Sequence, residues 1–466
     1  MKLKERIEMS EVALQQPVVW NKRFKRNCYI YIIIYGFMGA VTGVTNNTYV
    51  SYLDLVSPKM VQGMNIYSAI SAIIMSLLLL YIYKVGYKKV LVISPIVSIA
   101  GLMISLFTYN DVAVSIAFVL MSAGVGMFDF IYPLMFTAYV PKEKRVTMMS
   151  RVMYVNLITQ AIITFFGGKM VVWIFSKLHG ISYDAASALS ADASQLSGQA
   201  LTDYIDSYKS VIYVAIGFTI CALVCAFFLR EKPEDYRETE SERAERQQKF
   251  NFKGLFTKTV VLWIVFLALI RFGALLITPY FPIYLNNSLH IDRGVVSTII
   301  TLQTVAMLIG YLFAPWIEKK LGSINSIGIL TLLCVPLMLI MANGTMINPA
   351  NIAWIIGAVL FARSGLANAS MPIQQTIQMT FVSKDFRPAF SSVITLMQAG
   401  VGIIVGLFTQ FFLLKTPSGY ATAYYWTSAF YTVACIMLMI CFHKYNRQLD
   451  QKKSDSNEEL TDEDEG

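Results

Sequence analysis

Charged residues are scarce in this chain. Asp, Glu, Lys and Arg make up 14% of its 466 residues, whereas hydrophobic residues make up 56%. A soluble globular domain carries about 25% charged residues, so this composition excludes a water-soluble fold. The apolar residues occur in long stretches and the charges cluster between them, which is the pattern of membrane spans and their connecting loops.

Residues that usually carry enzyme chemistry are also few. The three histidines lie outside the apolar stretches or at their edges, and none of the six cysteines has metal-type spacing. There is no nucleophile, metal or phosphate-loop constellation. We therefore predict a protein that is not an enzyme and uses no metal or cofactor. We also expect no cleaved signal peptide, because the first apolar run is long enough to span the membrane and remain there.

The net charge of +9 does not indicate a nucleic-acid partner. The positive residues flank apolar segments and do not form one basic face. The expected partners are the lipid bilayer, a small-molecule solute and a coupling ion, for which a proton is the first choice. We expect a monomer.

Twelve apolar segments meet the length of about 20 residues that a span needs. They cover residues 28–52, 61–83, 88–108, 113–140, 147–175, 210–230, 259–285, 295–317, 324–342, 350–381, 389–414 and 420–443. The predicted fold class is therefore an all-α integral membrane protein with twelve transmembrane helices.

The loops predict the orientation and the division of the chain. Lys and Arg concentrate in alternate connections, such as 84–89, 142–145, 319–320 and 384–387, so we expect these loops and both termini in the cytoplasm. The resulting order is a cytoplasmic segment (1–27), a first six-helix bundle (28–230), a charged linker (231–258), a second bundle (259–443) and an acidic tail (444–466). We expect the last part of the tail, 454–466, to be disordered. The connection 176–209 is then external, and its role is open.

The two bundles repeat each other weakly. Lys84-Val85-Gly86-Tyr87 follows span two and Lys320-Leu321-Gly322-Ser323 follows span eight, and a second matched pair of basic turns follows spans four and ten at nearly the same offset. Several short matches in the same order indicate two halves related by a pseudo-two-fold axis along the membrane normal.

With these turns, the chain resembles the major facilitator superfamily over residues 25–445. The marks are the loop Tyr83-Lys84-Val85-Gly86-Tyr87-Lys88-Lys89 and the turn Pro141-Lys142-Glu143-Lys144-Arg145. The family's aspartate three residues before the glycine is Tyr83 here, and the proline of its antiporter signature before Gly167-Gly168 is Thr164. The resemblance implies alternating access, with spans one, four, seven and ten around a central cavity. It also implies cytoplasmic gate loops, which map to Lys84, Gly86, Lys88, Lys142, Arg145, Lys320, Gly322 and Arg387.

Three charged residues lie well inside spans. Asp129 is in span four, Arg271 in span seven and Arg363 in span ten. A mid-membrane charge costs roughly 2.5–3.5 kcal/mol, so such residues usually face a cavity or a partner. Polar residues at helical spacing accompany them, although the same spacing also suits contacts between helices. The predicted substrate-binding residues are Arg271, Arg363, Asn46, Tyr132, Asn156, Gln160, Thr278 and Gln374.

Two mid-membrane arginines against one aspartate predict an anionic solute, since a guanidinium matches carboxylate, sulfate or phosphate groups. Asp129 is then a proton-coupling group, half of a bridge between the two bundles, or both. The expected function is secondary active transport of an organic anion, by proton symport, at the cell membrane. The alternatives are a sugar or glycoside symporter and an exporter of amphipathic compounds, which the missing antiporter proline disfavours.

Overall fold

The structure is a computed structural model that describes residues 20–79, 81–235, 257–382, 387–416 and 418–464. Eleven of its helices are long and apolar enough to cross a membrane, and a twelfth, Met64–Leu79, is shorter. The twelve-span prediction is confirmed. We number the spans α1 (Lys22–Val56), α2 (Met64–Leu79), α3 (Tyr87–Phe107), α4 (Asp111–Tyr139), α5 (Lys142–His179), α6 (Gly198–Phe227), α7 (Lys258–Ser288), α8 (Arg293–Leu321), α9 (Ser323–Ala342), α10 (Pro349–Thr380), α11 (Arg387–Phe408) and α12 (Gly419–Asp464).

Helices suit these apolar stretches because a bilayer offers no partner for an open backbone group. Polar side chains outside the apolar core cap several of them. The Asn110 side chain accepts hydrogen bonds from two amides at the start of α4, and Thr257, Asp292 and Asn348 each cap the helix that follows them. Loop residues with little hydrophobicity therefore fix where the spans begin.

Two helix bounds lie furthest from those expected from sequence. α6 begins at Gly198, well before residue 210, because Tyr204 and Tyr208 are buried there and the Tyr204 ring packs 5.1 Å from that of Phe175. The expected disorder of 454–466 is wrong as far as residue 464, because α12 continues to Asp464. Leu460 and the glutamates of this stretch favour a helix, which composition alone did not weigh. Residues 236–256 of the linker lie outside the described residues.

The helix pairings show the two-fold repeat. Within the first half α1 packs on α5 and α6, α3 on α4 and α6, and α2 on α4; within the second half α7 packs on α11 and α12, α9 on α10 and α12, and α8 on α10. The halves meet along two seams, α5 with α8 and α2 with α11. Since α5 corresponds to α11 and α2 to α8, a two-fold rotation exchanges the seams.

The two ends of the molecule are packed differently. We call the end that holds the central linker the linker side and the opposite end the far side. One hydrophobic core on the far side contains residues of both halves, from Val44 to Tyr431. On the linker side each half has its own core, one drawn from residues 28–229 and the other from 260–442. The far side is therefore closed, and the halves are separate on the linker side.

Gly86 and Gly322 occupy the same unusual backbone conformation. Gly86 has φ 92° and ψ 156° before α3, and Gly322 has φ 78° and ψ 160° before α9. This region is essentially restricted to glycine. The two turns that marked the repeat in the sequence are therefore the same turn in the structure.

Replacing either turn glycine by alanine should lower the free energy of unfolding by about 1–3 kcal/mol, because the new Cβ is strained at these angles. The measurement is thermal unfolding of the purified protein in detergent. Gly217→Ala is the matched control, since Gly217 lies inside α6 with nothing within 4 Å of an added Cβ. Equal stability of the turn variants and the control would contradict the inference that the backbone angles at Gly86 and Gly322 require glycine.

Candidate functional site

Two charged side chains are exposed at mid-span, one in each half. Asp129 lies on α4 and Arg271 on α7, and both are exposed although the helices around them are apolar. Contact with hydrocarbon would cost roughly 2.5–3.5 kcal/mol for each. The location that avoids this cost is the space between the two halves, which the far-side core closes at one end. We take this space as the candidate substrate cavity.

Asp129 lies in an aromatic pocket of the first half. Its carboxylate accepts a hydrogen bond from the hydroxyl of Tyr35 on α1. The Tyr35 ring stands 5.7 Å from that of Tyr132 and 5.8 Å from that of Tyr31, whose hydroxyl donates to the carbonyl of Phe128. Within the described part of the chain the carboxylate therefore has one direct donor, and Asp129 remains exposed.

Arg271 has a different environment. Its guanidinium is exposed and donates no hydrogen bond to any residue of the described ranges. Thr278, seven residues later on α7, is also exposed. In the described part of the chain, neither Arg271 nor Arg363 has a nitrogen within 4.0 Å of an Asp129 carboxylate oxygen, so neither forms an ion pair with it. The bridge between the halves that the sequence allowed is therefore open in this state.

Arg363 is buried instead of exposed. Its side chain is 5% accessible, one guanidinium nitrogen donates to the Tyr431 hydroxyl at 3.4 Å, and its Cζ lies 5.6 Å from the Phe281 ring centroid. Its Nε has no partner among the residues that the structure describes. Arg363 thus lies behind the cavity surface, held by α12 and α7.

Tyr431 connects the two arginines, and sequence reasoning missed it. Its ring packs against Gly273, two residues beyond Arg271, while its hydroxyl accepts from Arg363. No signal in the sequence marked Tyr431, because α12 carries many tyrosines and contributes only by packing beside α7.

The remaining predicted polar residues divide into two groups. Asn156 donates to the backbone carbonyl of Tyr35 at 2.9 Å, and Gln374 donates to Ser370 on its own helix at 2.9 Å. Asn46 is exposed on α1 and Gln160 is half-buried on α5, and neither side chain bonds to a described residue. Asn156 thus joins two helices, whereas Asn46 and Gln160 keep their amides available.

The predicted gate residues lie at the linker side, away from the cavity charges. Glu231, which the sequence did not single out, accepts the backbone amides of Tyr87 and Lys88 at 2.8 and 3.1 Å. Burial raises the pKa of Glu231, and these hydrogen bonds oppose the rise. Lys84 and Lys320 are exposed beside Tyr81 and Trp316. Lys142 and Arg387 begin α5 and α11, but their side chains and that of Arg145 lie outside the described residues.

Comparison with known proteins agrees with this architecture. The family model of the Major Facilitator Superfamily matches residues 28–407, and the chain belongs to that superfamily. It is a multi-pass membrane protein and a transporter rather than an enzyme. No curated protein sequence matches the chain.

Several solved structures share the fold. The nucleoside transporter NupG is 14% identical with a TM-score of 0.61, covering 91% of this chain and 99% of its own. A D-xylose-proton symporter is 13% identical with a TM-score of 0.63, covering 90% and 97%. A bacterial homologue of the iron transporter ferroportin, in an inward-facing state, is 14% identical with a TM-score of 0.62, covering 90% and 98%. At these identities the likeness shows the fold alone.

The division of polar residues can be tested by stability. Asn156→Ala removes the side-chain hydrogen bond to the Tyr35 carbonyl and should lower the free energy of unfolding by about 0.6–1.7 kcal/mol, the range of such contacts in membrane helices. Gln160→Ala, one turn away, should leave it unchanged. The measurement is unfolding by titration with denaturing detergent. If the Gln160 variant were the less stable of the two, their roles would be reversed.

Proposed function

We propose that this protein is a secondary active transporter that carries a small organic anion by alternating access, in symport with a proton. The observation that supports the proposal most directly is the exposed guanidinium of Arg271, which has no protein partner in the described ranges. A guanidinium fork matches the two oxygens of a carboxylate or phosphate group. The solute would therefore supply the acceptor that the protein does not.

The charges around the cavity support the same choice. Arg271 and Arg363 carry two positive charges near Tyr431, and Asp129 carries one negative charge on the opposite half. In a site of low dielectric, an unmatched positive charge strengthens the binding of an anion. Arg271 would contact the solute, and Arg363 would act from behind the surface through Tyr431. Asn46, Tyr132, Gln160 and Thr278 would complete the contacts.

A proton on Asp129 would couple to this binding. Protonation removes the single negative charge of the cavity, so the anion binds more tightly, and by reciprocity a bound anion favours the proton. Tyr35 would hold the carboxyl group in place in both forms. Proton and anion would then cross together, which is symport.

The orientation follows from charge. The linker side carries the basic loops, so it would face the cytoplasm of a cell membrane. The state described here, closed on the far side, would be open to the cytoplasm. The residues 176–209 would then be external.

Arg271→Gln should abolish uptake of a labelled organic anion into proteoliposomes, because a neutral amide cannot replace the guanidinium charge. Arg363→Gln should also reduce uptake. Arg151→Gln is the matched control, since Arg151 is an exposed arginine near the linker-side end of α5. Each variant is first checked for a monodisperse elution profile.

Labelled sugars, nucleosides and amphipathic cations are tested in the same vesicles. Unchanged anion uptake by both the Arg271 and Arg363 variants would contradict the proposal. Uptake of a sugar that survives Arg271→Gln would instead favour the sugar symporter.

Asp129→Asn should separate transport from the proton gradient. The variant should still exchange internal for external anion, but it should no longer accumulate the anion when a pH gradient is imposed, because position 129 cannot gain or lose a proton. Tyr35→Phe is the control that keeps the carboxylate. The measurement is counterflow compared with gradient-driven uptake. Accumulation by the Asp129 variant at the wild-type level would place the coupling group elsewhere.

A further inference from the structure

Arg293 is a buried charge on the far side, remote from the cavity charges. It is the first residue of α8, and its side chain is 0% exposed. One guanidinium nitrogen donates to the Asn47 side-chain oxygen of α1 at 2.7 Å. Its Nε and Nη1 have no hydrogen-bond partner, and no carboxylate forms an ion pair with it, among the residues described. Among the described residues, Asn47 therefore makes the only hydrogen bond to this guanidinium.

The neighbourhood of Arg293 holds charges of both signs. The start of a helix carries a partial positive charge, and Lys169 of α5 packs near Gly294, the next residue, whereas the carboxylate of Asp292, the preceding residue, caps the same helix start without forming an ion pair with Arg293. The Tyr208 ring lies 5.8 Å from the guanidinium carbon and offsets part of the cost. A buried charge with unfilled donors is nevertheless unfavourable.

The groups that bury Arg293 come from the other half. Asn47 belongs to α1 and Tyr208 to α6, whereas Arg293 belongs to the second half. Its backbone amide donates at 3.1 Å to Ser190, which lies on the short helix Tyr183–Ala191 between α5 and α6. Asn47 also donates to Ser297 of α8 at 3.0 Å. When the halves separate on the far side, water reaches the guanidinium.

Asn47 is placed for this contact by a local irregularity of α1. Residues Val44–Tyr49 form a π-helical turn, which widens the helix and changes the direction of the side chains that follow. Asn47 is fully buried and uses its oxygen for Arg293 and its nitrogen for Ser297. A single side chain thus meets two groups across the seam.

We propose that Arg293 sets the balance between the two states of the transporter by opposing closure of the far side, and that Asn47 is the partner that permits closure. The charge is solvated when the far side is open and buried when it is closed. Arg293 thereby prevents the far-side-closed state from becoming so stable that the transporter cannot reopen. The proposal concerns the conformational step and does not depend on which solute is carried.

Two single variants should then act in opposite directions. Asn47→Ala removes the hydrogen-bond acceptor that holds the guanidinium and should raise the ratio of far-side-open to far-side-closed molecules by about tenfold or more. Arg293→Met removes the charge, keeps most of the volume and should lower that ratio. Arg293→Gln provides a second neutral variant if the methionine variant does not fold.

The double variant separates charge from contact. Asn47→Ala combined with Arg293→Met should return to the closed state, because no buried charge remains to be solvated. Asn47→Ala combined with Arg293→Lys should stay open, because the charge is retained. Ser297→Ala is the matched control at the same seam, since it removes the Asn47–Ser297 bond without touching the charge, and it should shift the ratio far less than Asn47→Ala.

The ratio can be measured by distances between spin labels on the two halves. Val112 and Met346 are 68% and 84% exposed on the far side of the first and second halves. Cysteines at these positions, with Cys221, Cys225 and Cys441 replaced by serine, report far-side opening, because the other three native cysteines are buried. A pair at Lys89 and Lys319 on the linker side should change in the opposite sense, which distinguishes rocking from local unfolding.

The proposal is supported if Asn47→Ala opens the far side and the added Arg293→Met closes it again. It is overturned if Arg293→Met alone opens the far side, since the arginine would then stabilise closure. It is also overturned if the Asn47→Ala, Arg293→Met double variant is as open as Asn47→Ala. Because the readout needs no transport, these outcomes stand apart from any result on anion uptake.

Discussion

The cost of placing charge in hydrocarbon organises this molecule. The apolar spans leave few positions where a charged side chain avoids that cost. These positions lie between the two halves, or inside one half beside polar groups. Asp129 and Arg271 take the first location, Arg363 takes the second, and Arg293 lies in the far-side seam. Asp129, Arg271 and Arg293 are therefore tied to the relation between the halves, whereas Arg363 is held within the second half.

The seams explain why the far side and the linker side differ. Close packing of α5 on α8 and of α2 on α11 brings small residues against neighbouring backbone, as where Gly168 meets Arg293 and Ser297, and Gly406 meets Ile66. Hydrogen bonds cross at the same level: Asn65 donates to the Leu275 carbonyl and Asn287 to Asp54. The linker-side contacts of Arg23 and Glu231 join the first half to the start of the linker and do not reach the second half. The halves can therefore part on one side while they remain joined on the other.

Much of the fold followed from sequence because hydropathy and loop charge act locally. The spans, the repeat and the matched turns at Gly86 and Gly322 are each visible within short windows. The far-side end of α1 was harder to predict, because nothing in the residues Val44–Tyr49 indicates a π-helical turn. The start of α6 depended on tertiary packing of Tyr204 and Tyr208, which no periodicity measures.

The candidate site was only partly predictable. Mid-span charge located Asp129, Arg271 and Arg363, but sequence could not tell that Arg363 is buried behind Tyr431 while Arg271 is exposed. Arg293 was passed over because it lies at a helix start, where a charge usually faces water. Its burial depends on α1, α6 and the short helix Tyr183–Ala191 of the other half. The spacing of residues within one helix does not predict contacts between segments that are distant in the chain.

The central claim is that Arg271 binds the charge of an anionic solute. The most direct test is ligand-induced thermal stabilisation of the purified protein across a panel of organic anions, sugars, nucleosides and amphipathic cations, with Arg271→Gln measured in parallel. The account predicts that an anion raises the melting temperature of the wild type and not of the variant. Stabilisation by a neutral solute that persists in Arg271→Gln, with no response to any anion, would contradict it.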